Sequence, residues 1–327
     1  MYTYSSKLLP GSHIRIVSPS SSLGIISKEA IDIASERLKS LGFELSFGKH
    51  VKECDEYNSS SIESRVEDFM SAFLDKDVDC VMSVIGGHNC NQILPYLDYE
   101  VIKNNPKCFI GFSDITALNN AIYSMTGLVT YSGPAYSSFG KKLDFEYTMD
   151  YFKKCLMEES SYDILPSTKW SDDKWYVDQN VSNLINNPGY LKVNNGSCKG
   201  TIVGGNLCTL NLLQGTKYFP SLKDTILFIE DDHESSYLNF DRDLESLTQV
   251  EGFEGVKGVV IGRFQQASHV SNEEILRMVK NKKVLRDIPI VANVDFGHTD
   301  PKITFPIGGE ASLSVTNEGV KLSILKH

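Results

Sequence analysis

At 327 residues the chain exceeds what one small core serves, and roughly 150 residues per domain gives an expectation of two domains. Hydrophobic residues at 41% and charged residues at 23% match ordinary globular usage and exclude wholesale disorder. A formal net charge of −10 leaves no basic face to displace phosphate counterions, so no nucleic-acid partner is expected. No apolar run approaches the roughly 18 residues of a membrane span, so no membrane partner is expected either.

The opening residues lack the basic start, long apolar stretch and small-residue cleavage site of an export signal. The seven cysteines (54, 80, 90, 108, 155, 198 and 208) are odd in number and widely spread. They read as reduced thiols of a cytoplasmic protein.

The first 150 residues alternate short apolar strands with amphipathic helices. His13–Ser18 is expected as a strand. Ser27 caps a helix carrying Ile31, Ala34, Leu38 and Leu41 on one face, and Gly42 stops it. Phe43–Phe47 is the next strand, and Ile62, Val66, Phe69, Met70, Phe73 and Leu74 mark the next helix. Val78–Ile85 is apolar nearly throughout, as suits a strand buried on both faces of a parallel sheet. A strand at Cys108–Ile110 breaks at Gly-Phe-Ser-Asp into a helix over Ile115–Met125, and a further strand follows at Leu128–Tyr131. This β-α-β-α order implies a doubly wound parallel α/β sheet, whose sites lie at the carboxyl ends of strands.

The alternation lapses over about Glu158–Asn195, a polar stretch holding both tryptophans. It reads as a linker or long loop, and Trp170 and Trp175 each offer a stacking face for a ligand. A second, strand-rich unit begins near Gly200. Its expected strands are Thr201–Val203, Thr225–Glu230, Val256–Arg263, Pro289–Val294 and Lys302–Pro306, with two more near the C-terminus. Ser235–Val250 is expected to be helical, and Ser271 with Glu274 forms a capping box opening another helix. The expected division is therefore 1–157, 158–198 and 199–327.

Two glycine-containing turns follow buried strands. In Gly111-Phe112-Ser113-Asp114 a strand-to-helix turn would hold a serine hydroxyl clear of the sheet and aim backbone N–H groups at one point. Ile115 stands where the usual nucleophile elbow has its second glycine. In Gly86-Gly87-His88-Asn89 the paired glycines allow close backbone approach to a ligand. A serine nucleophile needs a base, and His88, His233, His269 and His298 all follow strands. Spacing does not choose among them. Nor does it choose the group that orients the base, for which Glu230, Asp231, Asp232 and Asp295 all stand at strand ends. There is no Walker or G-x-G-x-x-G pattern and no paired Cys-x-x-Cys or H-E-x-x-H, so neither cofactor nor metal is expected.

The runs SVIGGHNCNQILPYLDY, NPKCFIGFSDITALNNAIYSMTGLVTYSGP, GTIVGGNLCTLNLLQGT, DTILFIEDDHES and FGHTDPKITFPIGG occur in this order. Together they resemble the LD-carboxypeptidase family of serine peptidases. KWSDDKW brings the resemblance closest to its microcin C self-immunity branch. The resemblance implies a flavodoxin-like N-terminal domain, a smaller β-rich C-terminal domain, a site between them and a homodimer. It implies Ser113 as nucleophile, Glu230 as orienting acid and His298 as base, with the N–H groups of Gly87 and Asp114 as oxyanion hole. Its substrates are small: murein tetrapeptides in one branch, peptidyl- or aminoacyl-nucleotides in the other. The second branch implies Trp170 or Trp175 as a nucleobase platform. Gln265 occupies a position where an acidic substrate contact is expected.

Overall fold

The computed structural model describes residues 2–327. Five strands, β1 (His13–Val17), β2 (Glu44–Phe47), β3 (Cys80–Ser83), β4 (Cys108–Gly111) and β5 (Thr130–Ser132), are built by the first 135 residues. They pair in parallel in the order β2-β1-β3-β4-β5. This is the flavodoxin-like order, in which the chain reverses direction across the sheet between β1 and β3. Helices Lys28–Ser40, Ile62–Leu74 and Thr116–Thr126 connect them. Ser27 and Ser61 accept from the backbone N–H groups of Ala30 and Ser64 at two of those helix starts, each cap worth about 1 kcal/mol. Separate buried clusters, around Ile14, Met82 and Ile110 and around Phe69, Phe73 and Phe109, cover the two faces.

The remaining strands are β6 (Tyr162–Ile164), β7 (Lys169–Trp170), β8 (Ile185–Asn186), β9 (Leu191–Asn194), β10 (Gly196–Asn206), β11 (Thr225–Glu230), β12 (Val256–Gly262), β13 (Ile290–Val294), β14 (Phe305–Ile307), β15 (Glu310–Val315) and β16 (Val320–Lys326). Eight of them form a second sheet in the order β6-β16-β15-β10-β11-β12-β13-β9. Its centre, β10 to β13, is parallel, and every residue of β11 is buried. The Ser271–Glu274 capping box forms as the spacing suggests.

Two expectations need correction. The stretch after Glu158 is no structureless loop: β6 pairs with β16, β9 pairs with β13, and β7 and β8 make a short hairpin. Their strands are two to four residues long and half-exposed, so alternation is invisible in them. The strand expected over Lys302–Pro306 forms later, as β14, and joins the first sheet, antiparallel to β5. The segment between β13 and β14 is thereby held at one end by each sheet. No helix is long and apolar enough to cross a membrane among the described residues.

Candidate active site

The carboxyl ends of strands from both sheets meet at one cleft. From the first sheet come the turn after β3, with Gly86 and Gly87, and the turn after β4, with Phe112 and Ser113. From the second come Glu230, the last residue of β11, and the β13–β14 segment with His298.

Ser113 has φ +64, a left-handed conformation uncommon for a residue with a side chain. The fold holds it there between a fully buried strand and the buried helix Thr116–Thr126. The Asp114 carboxylate is buried and accepts from Ser20 Oγ at 2.6 Å and from Cys90 N at 2.8 Å. It thus ties the serine turn to both neighbouring loops. The Gly86–Gly87 turn packs directly on this corner. A Cβ on Gly86 would lie 2.8 Å from Ser113 Cβ, and one on Gly87, at φ +154, would lie 2.3 Å from Ser20 Oγ. Glycine at 86 thus lets the turn approach Ser113, and glycine at 87 lets it pass close against Ser20 and Ser21.

Three side chains from separate elements form one hydrogen-bonded chain. Ser113 Oγ lies 3.0 Å from His298 Nε2, and His298 Nδ1 lies 2.8 Å from Glu230 Oε2. Glu230 is 3% exposed and the His298 side chain 18%. An ionised carboxylate only accepts, so Nδ1 carries the proton and Nε2 is free to accept from the serine hydroxyl. Burial alone would lower the imidazole pKa. The Glu230 charge and hydrogen bond, helped by Asp232 and opposed by Lys302, leave it above the ordinary 6.5. Close contact between Glu230 and the His298 segment depends on Gly297, φ +100, where a Cβ would sit 2.4 Å from Glu230 Oε2.

None of the other candidate bases and acids hydrogen-bonds to Ser113 or His298, although His233 lines the same cavity as His298, and His88, Asp231 and Asp232 line a neighbouring one that also reaches Ser113. His88 is exposed and faces Tyr57, with ring centroids 6.5 Å apart. His233 donates its backbone N–H to Gln265 Oε1, and His269 ends a short helical turn with φ +54. Asp295 is fully buried, 2.7 Å from Ser167 N and 3.4 Å from Arg263 Nη2, and anchors the long polar segment to the second sheet. Asp231 accepts from Asn206 Nδ2 at 3.0 Å.

Trp175 lines a cavity of about 390 Å³ together with Gly87, Phe112, Ser113, His298 and Lys302. Trp170 lies outside it, over the Arg263 guanidinium at 5.1 Å, in a second cavity of about 720 Å³. Gln265 borders both. Sequence reasoning missed Ser137, Ser138 and Lys302, which also face the Trp175 cavity. The two serines follow β5, and the rule that sites gather at strand carboxyl ends would have found them. Lys302 and Lys141 flank Asp300, holding its carboxylate below the usual range against the burial that would raise it. No group of three or more His, Cys, Asp or Glu side chains is arranged to hold a metal among the described residues.

Comparison with known proteins agrees with this architecture. Residues 14–133 match the LD-carboxypeptidase N-terminal domain and residues 199–313 the LD-carboxypeptidase C-terminal domain. The chain belongs to the LD-carboxypeptidase family. As a family member it is a serine-type peptidase. YocD of Bacillus subtilis, named as a candidate carboxypeptidase, is 49% identical over 99% of this chain and 100% of its own. The microcin C7 self-immunity protein MccF of Escherichia coli is 33% identical over 97% of this chain and 94% of its own. Among solved structures, an MccF-like protein from Bacillus anthracis superposes with TM-score 0.98 at 49% identity, covering 99% of this enzyme and 100% of that chain. MccF bound to glutamyl sulfamoyl guanosine superposes at 0.90 and 31% identity, covering 99% and 98%. MccF has also been solved with aspartyl sulfamoyl adenosine.

Proposed function

We propose that the enzyme hydrolyses the amide-type bond joining an amino acid or short peptide to a modified nucleotide, with Ser113 as nucleophile, His298 as general base and Glu230 as its orienting partner. The observation carrying this reading is the Ser113–His298–Glu230 chain opening onto a cavity with an indole in its wall.

In this mechanism Ser113 Oγ bonds to the carbonyl carbon while His298 Nε2 takes its proton. The N–H groups of Gly87 and Asp114 receive the developing oxyanion, a contribution of about 3 kcal/mol per donor in comparable enzymes. The tetrahedral intermediate collapses, the C–N bond breaks, and His298 returns the proton to the leaving nitrogen. Water, deprotonated by the same imidazole, then hydrolyses the ester on Ser113. Glu230 holds the tautomer and stabilises the imidazolium. Trp175 stacks on the nucleobase of the leaving group, and Lys302 places positive charge in the same cavity. The seven free cysteines, four of them buried, support a reducing cytoplasmic setting, and the family resemblance supports a homodimer.

Since a raised imidazole pKa means that His298 becomes protonated, and useless as a base, already above pH 6.5, kcat/KM is expected to fall on the acid side with its midpoint above 6.5. Glu230→Gln removes the charge that raises it, so its midpoint is expected at lower pH, with a reduced plateau. A pH–rate profile of both proteins checks this; an unmoved midpoint would assign the limb to another group.

Substrate class is tested by supplying a panel of aminoacyl sulfamoyl adenosines and a murein tetrapeptide to the purified enzyme and reading products by mass spectrometry. Cleavage of the nucleotide conjugates is expected; cleavage of the tetrapeptide alone would make the enzyme a murein carboxypeptidase. Trp175→Ala is expected to raise KM for the nucleotide conjugates by about tenfold, the usual scale of base stacking, with kcat little changed. An unaltered KM would place the nucleobase elsewhere.

A further inference from the structure

Arg263 follows β12 and is 5% exposed, yet its guanidinium is only partly spent. Nη2 donates to Asn187 Oδ1 at 2.8 Å and to Asn293 O at 2.9 Å, and meets Asp295 Oδ1 at 3.4 Å. Among the described residues neither Nε nor Nη1 has a partner, and only Nε is sealed from solvent. Arg263 borders the cavity of about 720 Å³ that also holds Trp170, so the two donors of Nη1 are turned to that space. The indole, 5.1 Å from the guanidinium carbon, covers the flat face. A ligand therefore meets the edge, where the planar fork suits carboxylate or phosphate oxygens.

A second feature of the same wall favours the same charge. The helix Asn272–Asn281 starts there, with Ser271 and Asn272 in the wall. Ser271 Oγ takes the Glu274 N–H, which leaves the N–H groups of Asn272 and Glu273 outside any helical bond. The partial positive charge of the helix end falls on them. Asn293 joins the two features: its carbonyl accepts from Arg263, and its Nδ2 donates to Asn272 Oδ1 at 3.0 Å. Among the described residues Glu274 is the one acidic side chain in this wall, and its carboxylate turns back onto Ser271 N at 2.7 Å.

We infer that this cavity binds an oxyanion, a carboxylate or a phosphate, at Arg263 Nη1 and the start of the helix Asn272–Asn281. The site is linked to the catalytic one. Trp170 and Ile185, both in its wall, are paired residues of the β7–β8 hairpin, whose connecting segment carries Trp175, and Gln265 borders both cavities. An anion here steadies the base of that hairpin. It has two chemical sources: a free anion, or an anionic group at the far end of the substrate's leaving group. Only the choice of source rests on the proposed reaction; the binding does not.

The chain holds two tryptophans, so Trp175→Phe leaves Trp170 as the sole reporter. Titrating this variant with inorganic phosphate is expected to change its emission saturably, with a midpoint at least about tenfold below that for chloride at the same ionic strength. Calorimetry of the same titration registers binding that emission misses. Adding Asn272→Asp puts a carboxylate in the wall at an exposed position where an acid also suits the helix start, so the fold is kept. The midpoint is expected to rise by about tenfold or more. Flat emission together with flat heat, equal midpoints for phosphate and chloride, or a midpoint indifferent to Asn272→Asp would overturn the inference while leaving the proposed reaction standing. Rates then assign the source. A rise in kcat/KM for an aminoacyl sulfamoyl adenosine on adding phosphate, erased by Asn272→Asp, assigns a free anion. Faster cleavage of the same conjugate bearing a ribose 3′-phosphate, again erased by Asn272→Asp, assigns the substrate's own. If no conjugate is cleaved, the proposed reaction fails and the titration alone decides the site.

Discussion

Ser113→Ala is expected to lower kcat by about a millionfold, the scale on which loss of a serine nucleophile acts in a comparable triad. The variant loses only a half-exposed hydroxyl whose partner is His298 Nε2 at 3.0 Å, and alanine keeps the Cβ that packs against Gly86. Its melting temperature and its affinity for the nucleotide conjugates are expected to stay close to wild type. The measurement is a single-turnover assay beside calorimetric titration. Activity within tenfold of wild type would exclude Ser113 as the nucleophile, and lost binding together with lost activity would point to a folding defect instead.

His298→Ala is expected to cost nearly as much, and the double variant Ser113→Ala/His298→Ala no more than either alone, because hydroxyl and imidazole act as one unit. His88→Ala is the control. His88 is exposed beside Tyr57 and makes no hydrogen bond to Ser113, so its loss is expected to cost far less. Removing His298 also strips the buried Glu230 carboxylate of its Nδ1–H partner, and an unpaired buried carboxylate destabilises the fold. His298→Gln, which can still donate to Glu230, separates that effect from the chemistry: stability is expected to recover, turnover is not. Comparable losses from His88→Ala and His298→Ala would show that the base is misassigned.

Elements with a single strong periodicity were legible in the sequence. The helix Ile62–Leu74 begins and ends where its apolar spacing places it, because Ser61 caps it and Phe69, Ala72 and Phe73 all point into one core. The strand Thr225–Glu230 was equally plain, being apolar up to its final carboxylate. The stretch from Glu158 to Asn195 was not, because its short strands take their stability from distant partners: Leu191 faces Ala292 and Ile164 faces Leu322. Local residues carry no trace of such pairings. Likewise, β14 looks like any strand of the second unit, and only tertiary packing assigns it to the first sheet.

The site followed the same division. The Gly-Phe-Ser-Asp turn was visible locally as a strand-to-helix turn carrying a serine, but a serine before a helix is equally an ordinary cap, so its pattern alone did not make it a nucleophile. Choosing one histidine from four, and one carboxylate from Glu230, Asp231, Asp232 and Asp295, depends on which side chains meet after folding. Spacing was silent there, and the family resemblance supplied the choice. Asp295 has the same local setting as Glu230, yet it faces Ser167 and Arg263 instead of an imidazole. The two tryptophans are five residues apart and indistinguishable by sequence, but the β7–β8 hairpin turns Trp170 onto Arg263 and leaves Trp175 at the cleft.

The central claim is that Ser113 carries the acyl group between attack and hydrolysis. Partitioning with hydroxylamine tests it most directly, using two conjugates that share an acyl residue and differ in leaving group, one built on adenosine and one on guanosine. A shared ester on Ser113 requires the same ratio of hydroxamate to free acid from both, whatever their rates, and neither product from Ser113→Ala. A ratio that follows the leaving group, or hydroxamate formed at undiminished rate by Ser113→Ala, would contradict it.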